Sequence, residues 1–213
     1  MDLKNKILKA ARADTIPEGD SGLWIIKKTF YDHDEITNWR GKQVILPAGV
    51  YTHLIRVTTA KLHLWPPGEV VMEDTPFELN THLNFMLHAC GDVLVTGLGL
   101  GCVIRGLLMN PRVNHITCIE KSDNVLNLVA PYIKNDRLTI IKADALNWCK
   151  DSHNKFDCAW HDLWTNREDG EPHLDLWHTE LFAYCKKKVR FQGAWAYPRE
   201  FKKAFRNKNM SLI

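Results

Sequence analysis

This sequence predicts an α/β fold, a doubly wound parallel sheet with a small antiparallel β unit at its N-terminal end. Three observations carry that prediction. First, from Asp92 onward short apolar runs alternate with helical patterns, the rhythm of crossovers that return to one parallel sheet. Second, Asp92 to Leu108 reads DVLVTGLGLGCVIRGLL. Its apolar run stops at Thr96, glycines recur at Gly97, Gly99 and Gly101, and Val103, Ile104, Leu107 and Leu108 mark one helical face. Strand, glycine-rich turn and helix form a nucleotide-site shape, because glycine permits close backbone approach and a helix start offers free N–H groups. Third, acids stand at the carboxyl ends of the strands that follow: Glu120, Asp144 and Asp162.

The elements follow in chain order. Residues 1–12 read as a short basic helix or loose leader. Gly22 to Tyr31 is rich in aromatic and β-branched residues and reads as a strand, followed by a polar, turn-like stretch from Asp32 to Arg40. Lys42 to Leu46 is a second short strand, stopped by Pro47-Ala48-Gly49, and Val50 to Thr58 alternates as a half-buried third. Lys61 to Trp65 and Glu69 to Met72, around Pro66-Pro67-Gly68, read as a hairpin. The aromatics of this region are expected to pack rather than to hold a ligand. Residues 1–73 thus form the N-terminal unit and 74–213 the parallel-sheet domain.

Asp74-Thr75-Pro76 opens a helix, with Thr75 or Asp74 as cap, Pro76 and Glu78 in the first turn, and Phe77, Leu79, Leu83, Met86 and Leu87 on the buried stripe. After the glycine turn and its helix, Asn114 to Glu120 is a strand, Ser122 to Tyr132 a helix, Arg137 to Lys142 a strand, and Asp144 to Cys149 a short helix. Phe156 to His161 is a strand ending at Asp162, His173 to Lys188 a helix, Val189 to Trp195 a fifth strand and Glu200 to Arg206 a last helix. The chain leaves no room for a further antiparallel hairpin, so the sheet is expected to be C-terminally shortened.

Composition narrows the function classes. No apolar run approaches the roughly 18 residues of a membrane span, and the N-terminus lacks the apolar core of a signal peptide. The six cysteines form no C-x-x-C and read as reduced thiols, Cys118 and Cys158 in core runs, which places the chain in the cytoplasm. The ten histidines do not cluster, and no metal site is expected. Net charge is +3, but residues 186–208 hold nine basic residues against the single acid Glu200. That segment reads either as a solvated basic face or as a patch for a polyanion or acidic substrate.

In such a sheet a carboxylate after the second strand, Glu120, can take both hydroxyls of a ribose, and one after the third, Asp144, can accept from an adenine amino group. Asp144 also suits a helix cap. The glycines do not spell G-x-G-x-x-G, since Gly101 comes one position early, and no G-K-[ST] follows. The pattern suits an adenosine ligand without phosphates, such as S-adenosylmethionine.

On VLVTGLGLGCVIRGLLMNPRVNHITCIEKSDNVLNLVAPYI, RLTIIKADALNW and FDCAWHDLW, the chain resembles the class I S-adenosylmethionine-dependent methyltransferases, with their Rossmann-like sheet, and within them the spermidine synthase-like branch. Across PAGVYTHLIR, VVMEDTPFE, WHDLW and RFQGAW it is similar to small methyltransferase-like proteins of phages and prophages. The resemblance implies S-adenosylmethionine as cofactor. It implies Gly97, Gly99 and Gly101, with Leu98 between them, at the methionine moiety, Glu120 and the adjoining Lys121 at the ribose, and Asp144 with Ala145 at the adenine. Asp162 would face the methionine or the acceptor. Two departures stand out. Val95 occupies a position that is acidic in many methyltransferases, and Asp162-Leu163-Trp164-Thr165-Asn166 lacks the second acid and the proline of the aminopropyltransferase D-x-x-D-P run, which argues against polyamine chemistry.

Asp162 and His161 are the catalytic candidates, Asp162 as general base or amine-orienting carboxylate and His161 as a group titrating near neutrality. Alternation along the strand equally turns His161 into the core, and Trp160 and Trp164 either wall an acceptor pocket or pack. Methyl transfer is the expected reaction, to a small-molecule acceptor rather than a nucleic acid. Aminopropyl transfer, cofactor cleavage and a non-catalytic binding module are the alternatives. The strand edges of the β unit suit pairing in a homodimer.

Overall fold

The computed structural model describes residues 2–39, 42–57, 68–163 and 174–195. Elements expected at 61–65 and 200–206, Trp164 and the basic positions beyond Trp195 lie outside them. Two sheets position the site, with a separate two-stranded hairpin beside them. The larger is formed by β7 (Gly91–Thr96), β8 (Val113–Glu120), β9 (Leu138–Lys142), β10 (Phe156–His161) and β11 (Val189–Ala194), in the order β11-β10-β7-β8-β9, all parallel. The chain leaves β7 in one direction through β8 and β9, then crosses back to place β10 on the other side of β7. The order therefore reverses between β7 and β10, and a crevice opens at their carboxyl ends. The expected doubly wound α/β fold is the fold observed.

Strand alternation sends Val93 and Val95 of β7 to one face and Leu94 to the other, and the two faces carry separate cores. The first face holds α1 (Leu3–Ala10), α2 (Pro76–His88), α3 (Cys102–Leu108) and α4 (Asp123–Val129), with a 3-10 turn at Ala130–Tyr132. The second holds α5 (Ala145–Asp151) and α6 (Leu174–Cys185). All six cysteines are free, and all but Cys90 are buried.

The smaller sheet runs β1-β2-β5-β6, from β1 (Gly19–Ser21), β2 (Trp24–Tyr31), β5 (Gly49–Arg56) and β6 (Glu69–Glu73), wholly antiparallel. The stretch read as polar turn, 32–40, instead contains β3 (Glu35–Trp39), which pairs with β4 (Lys42–Leu46) in the hairpin. Charged and polar residues mask its alternation in sequence. The N-terminal residues form a helix, capped by Asp2, and it packs on α2 and α3. Thr75, not Asp74, caps α2, its hydroxyl accepting from the Glu78 N–H. Asp74 has another task. Fully buried, it pairs with Arg12 at 2.9 Å and accepts from the backbone N–H groups of Ala13 and Thr52. It thereby ties the end of α1 and the strand β5 to the start of α2.

Among the described residues no helix is long and apolar enough to cross a membrane.

Candidate functional site

A cavity of about 570 Å³ lies at the reversal point. This is a size that accommodates a small organic ligand. Gly97, Gly99, Ile119, Glu120, Lys121, Ala143, Asp144, Ala145, Asp162 and Leu163 line its sheet side. Leu23, Trp24, Leu54, Arg56, Val71 and Met72 of the β unit line it as well, so Trp24, an aromatic expected to pack, supplies part of the wall.

Backbone requirements explain the first two glycines. A side chain at Gly97 (φ 93°) would come within 2.2 Å of the Asp162 carbonyl oxygen, because β7 and β10 exit side by side. One at Gly99 (φ 51°) would meet Met72 Sδ at 2.4 Å, and the same sulfur accepts the Leu100 N–H. Gly101 differs. It is the left-handed residue before α3, and a Cβ there would strike Ile133 Cδ1 at 2.0 Å, so it serves helix packing and does not line the cavity.

Glu120 is held from both sides. The Leu98 N–H donates to one carboxylate oxygen at 2.9 Å and the Ser122 N–H to the other at 2.8 Å. Leu98 thus reaches the site through its backbone, while its side chain is buried. Each carboxylate oxygen keeps a free lone pair, so the group is aimed without being consumed. Asp144 divides its oxygens: Oδ1 caps α5 by accepting from Leu146 and Asn147, and Oδ2 lies 3.9 Å from Lys121 Nζ. Both readings of Asp144, cap and cavity wall, hold together.

Asp162 lines the same cavity. Burial pushes its carboxyl up to about 6, the neighbouring Glu78 charge adds to the rise, and His82 opposes it. His161 is elsewhere. It is fully buried on the opposite sheet face, with Nδ1 3.0 Å from Thr96 Oγ1 and Nε2 3.2 Å from Gln192 Oε1, and its ring lies edge-on to Phe182. It does not line the cavity, and strand alternation is the reason, since the backbone that delivers Asp162 turns its predecessor away. Trp160 packs against Phe85 at 4.9 Å in the core.

One cavity-lining acid escaped the sequence reading. Glu78 of α2 lines the cavity, and His82, one turn on, lies behind it with Nε2 3.7 Å from Glu78 Oε1. The signal was present. Glu78, His82 and Met86 recur at i, i+4 and i+8 on a helix face otherwise apolar. Among the described residues no group of three or more His, Cys, Asp or Glu is arranged to hold a metal ion.

No family model matches the chain. It is 27% identical over 125 residues to a polyamine aminopropyltransferase of Buchnera aphidicola subsp. Acyrthosiphon pisum, covering 54% of this chain and 43% of that protein. It is 25% identical over 143 residues to one from Agathobacter rectalis, covering 61% of this chain and 49% of the relative. The chain therefore spans less than half the length of these curated relatives. Among solved structures, spermidine synthase from Thermotoga maritima superposes with a TM-score of 0.45 at 18% identity, over 82% of this chain and 52% of that one. Human methyltransferase-like protein 13, solved in complex with SAH, superposes with a TM-score of 0.41 at 17% identity, over 53% of this chain and 60% of that one.

Proposed function

We propose that this chain binds S-adenosylmethionine and transfers its methyl group to a small-molecule acceptor. One observation carries the reading: Glu120, Asp144 and Asp162 stand at three successive strand ends around one cavity, at the point where strand order reverses. The residues fit the cofactor. Glu120, fixed by two backbone amides, offers two acceptor oxygens to the vicinal hydroxyls of a ribose. Asp144 Oδ2 and the apolar surfaces of Ala145 and Leu146 suit an adenine and its amino group. Gly97 and Gly99 leave room for the amino-acid portion, and Asp162 supplies negative charge toward a cationic centre.

When bound, the cofactor supplies an electrophilic carbon on a positively charged sulfur. The chain contributes orientation and proton handling. Two fixed anchors at Glu120 and Asp144 hold the ligand lengthwise, and in-line alignment with an acceptor is the chief source of acceleration in such a transfer. Asp162, with a carboxyl near 6, is ionised at neutral pH yet basic enough to take a proton from the acceptor. The β unit excludes water through Trp24, Leu54 and Met72.

Aminopropyl transfer from the decarboxylated cofactor is a second reading, favoured by the curated relatives' activity. Product analysis separates the two. S-adenosylhomocysteine with a methylated acceptor supports the first, and methylthioadenosine the second. The shared premise is tested by thermal denaturation. S-adenosylhomocysteine at a hundred times its Kd adds about 2.7 kcal/mol, a rise in Tm of roughly 5–10 °C for a chain of this size. Glu120→Ala should abolish that rise. No shift with the parent chain would sink both readings.

A further inference from the structure

Four of the six thiols stand in two pairs, and one pair reaches solvent. Cys149 of α5 and Cys185 of α6 are hydrogen-bond neighbours in the second core, each 1% exposed. Cys90 and Cys158 meet near the amino ends of β7 and β10, whereas the cavity lies at the carboxyl ends, and neither residue lines it. Cys90 is the one exposed cysteine of the six. Its N–H donates to Cys158 Sγ at 3.4 Å, the Cys158 thiol donates to the Cys90 carbonyl oxygen at 3.4 Å, and the two thiols are themselves hydrogen-bond neighbours. The backbone on either side is fixed. The buried Ala89 offers its carbonyl to Asn110 Nδ2 at 3.0 Å, and the Gly91 N–H donates to the Arg112 carbonyl at 2.7 Å. The Asp92 N–H donates to Asp157 Oδ2 at 3.0 Å, and a Cβ at Gly91 (φ 65°) would fall 1.9 Å from that oxygen, so only glycine admits the approach. Two sulfurs held this way, 68 residues apart in the chain, need little more than a turn about Cα–Cβ to bond.

We infer that Cys90 and Cys158 form an oxidation site, which hydrogen peroxide converts to a reversible intramolecular disulfide that staples the segment between α2 and β7 to β10. The Cys90 sulfur attacks one oxygen of the peroxide, the O–O bond breaks, and a water leaves as Cys90 becomes a sulfenic acid. Cys158 Sγ then attacks the Cys90 sulfur, the S–O bond breaks, and hydroxide departs with the Cys158 proton as a second water. Two thiols are oxidised and one peroxide is reduced to two waters. Exposure sets the order. Cys158 is 3% exposed, and burial pushes its thiol up to about 11, so it stays protonated until Cys90 has been oxidised. A thiol reductant reverses the bond by exchange. Because the pair stands apart from the cavity, its chemistry does not depend on what the cavity binds.

The test is mass-spectrometric peptide mapping of the full chain after hydrogen peroxide treatment, with iodoacetamide added under denaturing conditions to mark the thiols that remain. The oxidised chain should be lighter by two hydrogens, carry a Cys90–Cys158 cross-linked peptide pair and keep its other four cysteines alkylatable. Dithiothreitol should restore all six thiols. In Cys158→Ala no bond can form, and dimedone should capture a sulfenic acid at Cys90. In Cys90→Ser the same treatment should leave Cys158 reduced. Closing a loop of this length should raise the Tm of the oxidised chain by about 5 °C or more above the reduced chain, and Cys90→Ser should lose that rise. A Cys149–Cys185 bond in its place, a bond between two copies, Cys158 left alkylatable, or an oxidised chain that melts no higher than the reduced one overturns the proposal. Should Cys158→Ala fail to fold, the parent chain and Cys90→Ser, altered at an exposed position, decide by the same map.

Discussion

Asp162 shows how one carboxylate carries opposite demands. Burial and the Glu78 charge hold its carboxyl near 6, above the ordinary 3.8. Because the folded state binds the proton more tightly, the stabilisation is complete below about pH 4 and is lost as pH rises through 6. The difference amounts to at most about 3 kcal/mol, an upper limit since the residue retains some exposure to the cavity. Asp162→Asn, which stays neutral, should therefore melt higher than the parent chain at pH 7.5 and within a degree or two of it at pH 4, as scanning calorimetry at the two pH values can check. Loss of transfer activity in the same variant would mark a group kept for chemistry at a cost in stability. His161 is the contrasting residue. Sequence placed it beside Asp162 as a catalytic candidate, and its neighbours Thr96 and Gln192 engage both its nitrogens away from the cavity.

At the level of the element, the glycine turn is a set of separate solutions. Gly97 and Gly99 admit a neighbouring strand and Met72, whereas Gly101 starts α3 in a left-handed conformation against Ile133. Gly101→Ala should lower stability by roughly 2 kcal/mol or more, from left-handed strain with added crowding. Urea denaturation would register it as a lower midpoint at unchanged slope. Because Gly101 does not line the cavity, S-adenosylhomocysteine affinity of the folded variant should remain within a fewfold. A loss of affinity as large as that of Glu120→Ala would show instead that the turn acts as one ligand-binding unit. Helix α2 is the element whose sequence was half legible. Its cap at Thr75 and its apolar positions followed from local rules, while Glu78 read as a first-turn acid favoured by the helix dipole. Which way that turn faced depended on what packed behind it.

Across the whole molecule, the β unit and the parallel sheet close one cavity between them, and Asp74 is the joint. Its buried carboxylate collects Arg12 from the end of α1 and backbone donors from Ala13 and Thr52. Asp74→Ala would leave two buried N–H groups without an acceptor and the Arg12 cation unpaired. A loss of roughly 3 kcal/mol is expected, the usual consequence of removing one partner of a buried pair. Chemical denaturation should show it, with the cavity loosened as well, since Met72 is two residues away and lines it. A loss under 1 kcal/mol would mean that the two sheets hold together without this joint.

The sequence by itself determined the parallel sheet, the glycine turn, and the acids at the strand ends, because each is written in local periodicity, in turn chemistry or in the regular spacing of strand ends. Glu120 and Asp144 were legible for that reason. Tertiary structure alone decided the rest: that β3 pairs in a hairpin, that Trp24 and Met72 line the cavity, that His161 faces away, and that Glu78 and Asp162 line the same cavity. Those outcomes depend on contacts between segments far apart in the chain, here α2 against the end of β10. Periodicity shows that a residue shares a face, but only packing shows what that face meets.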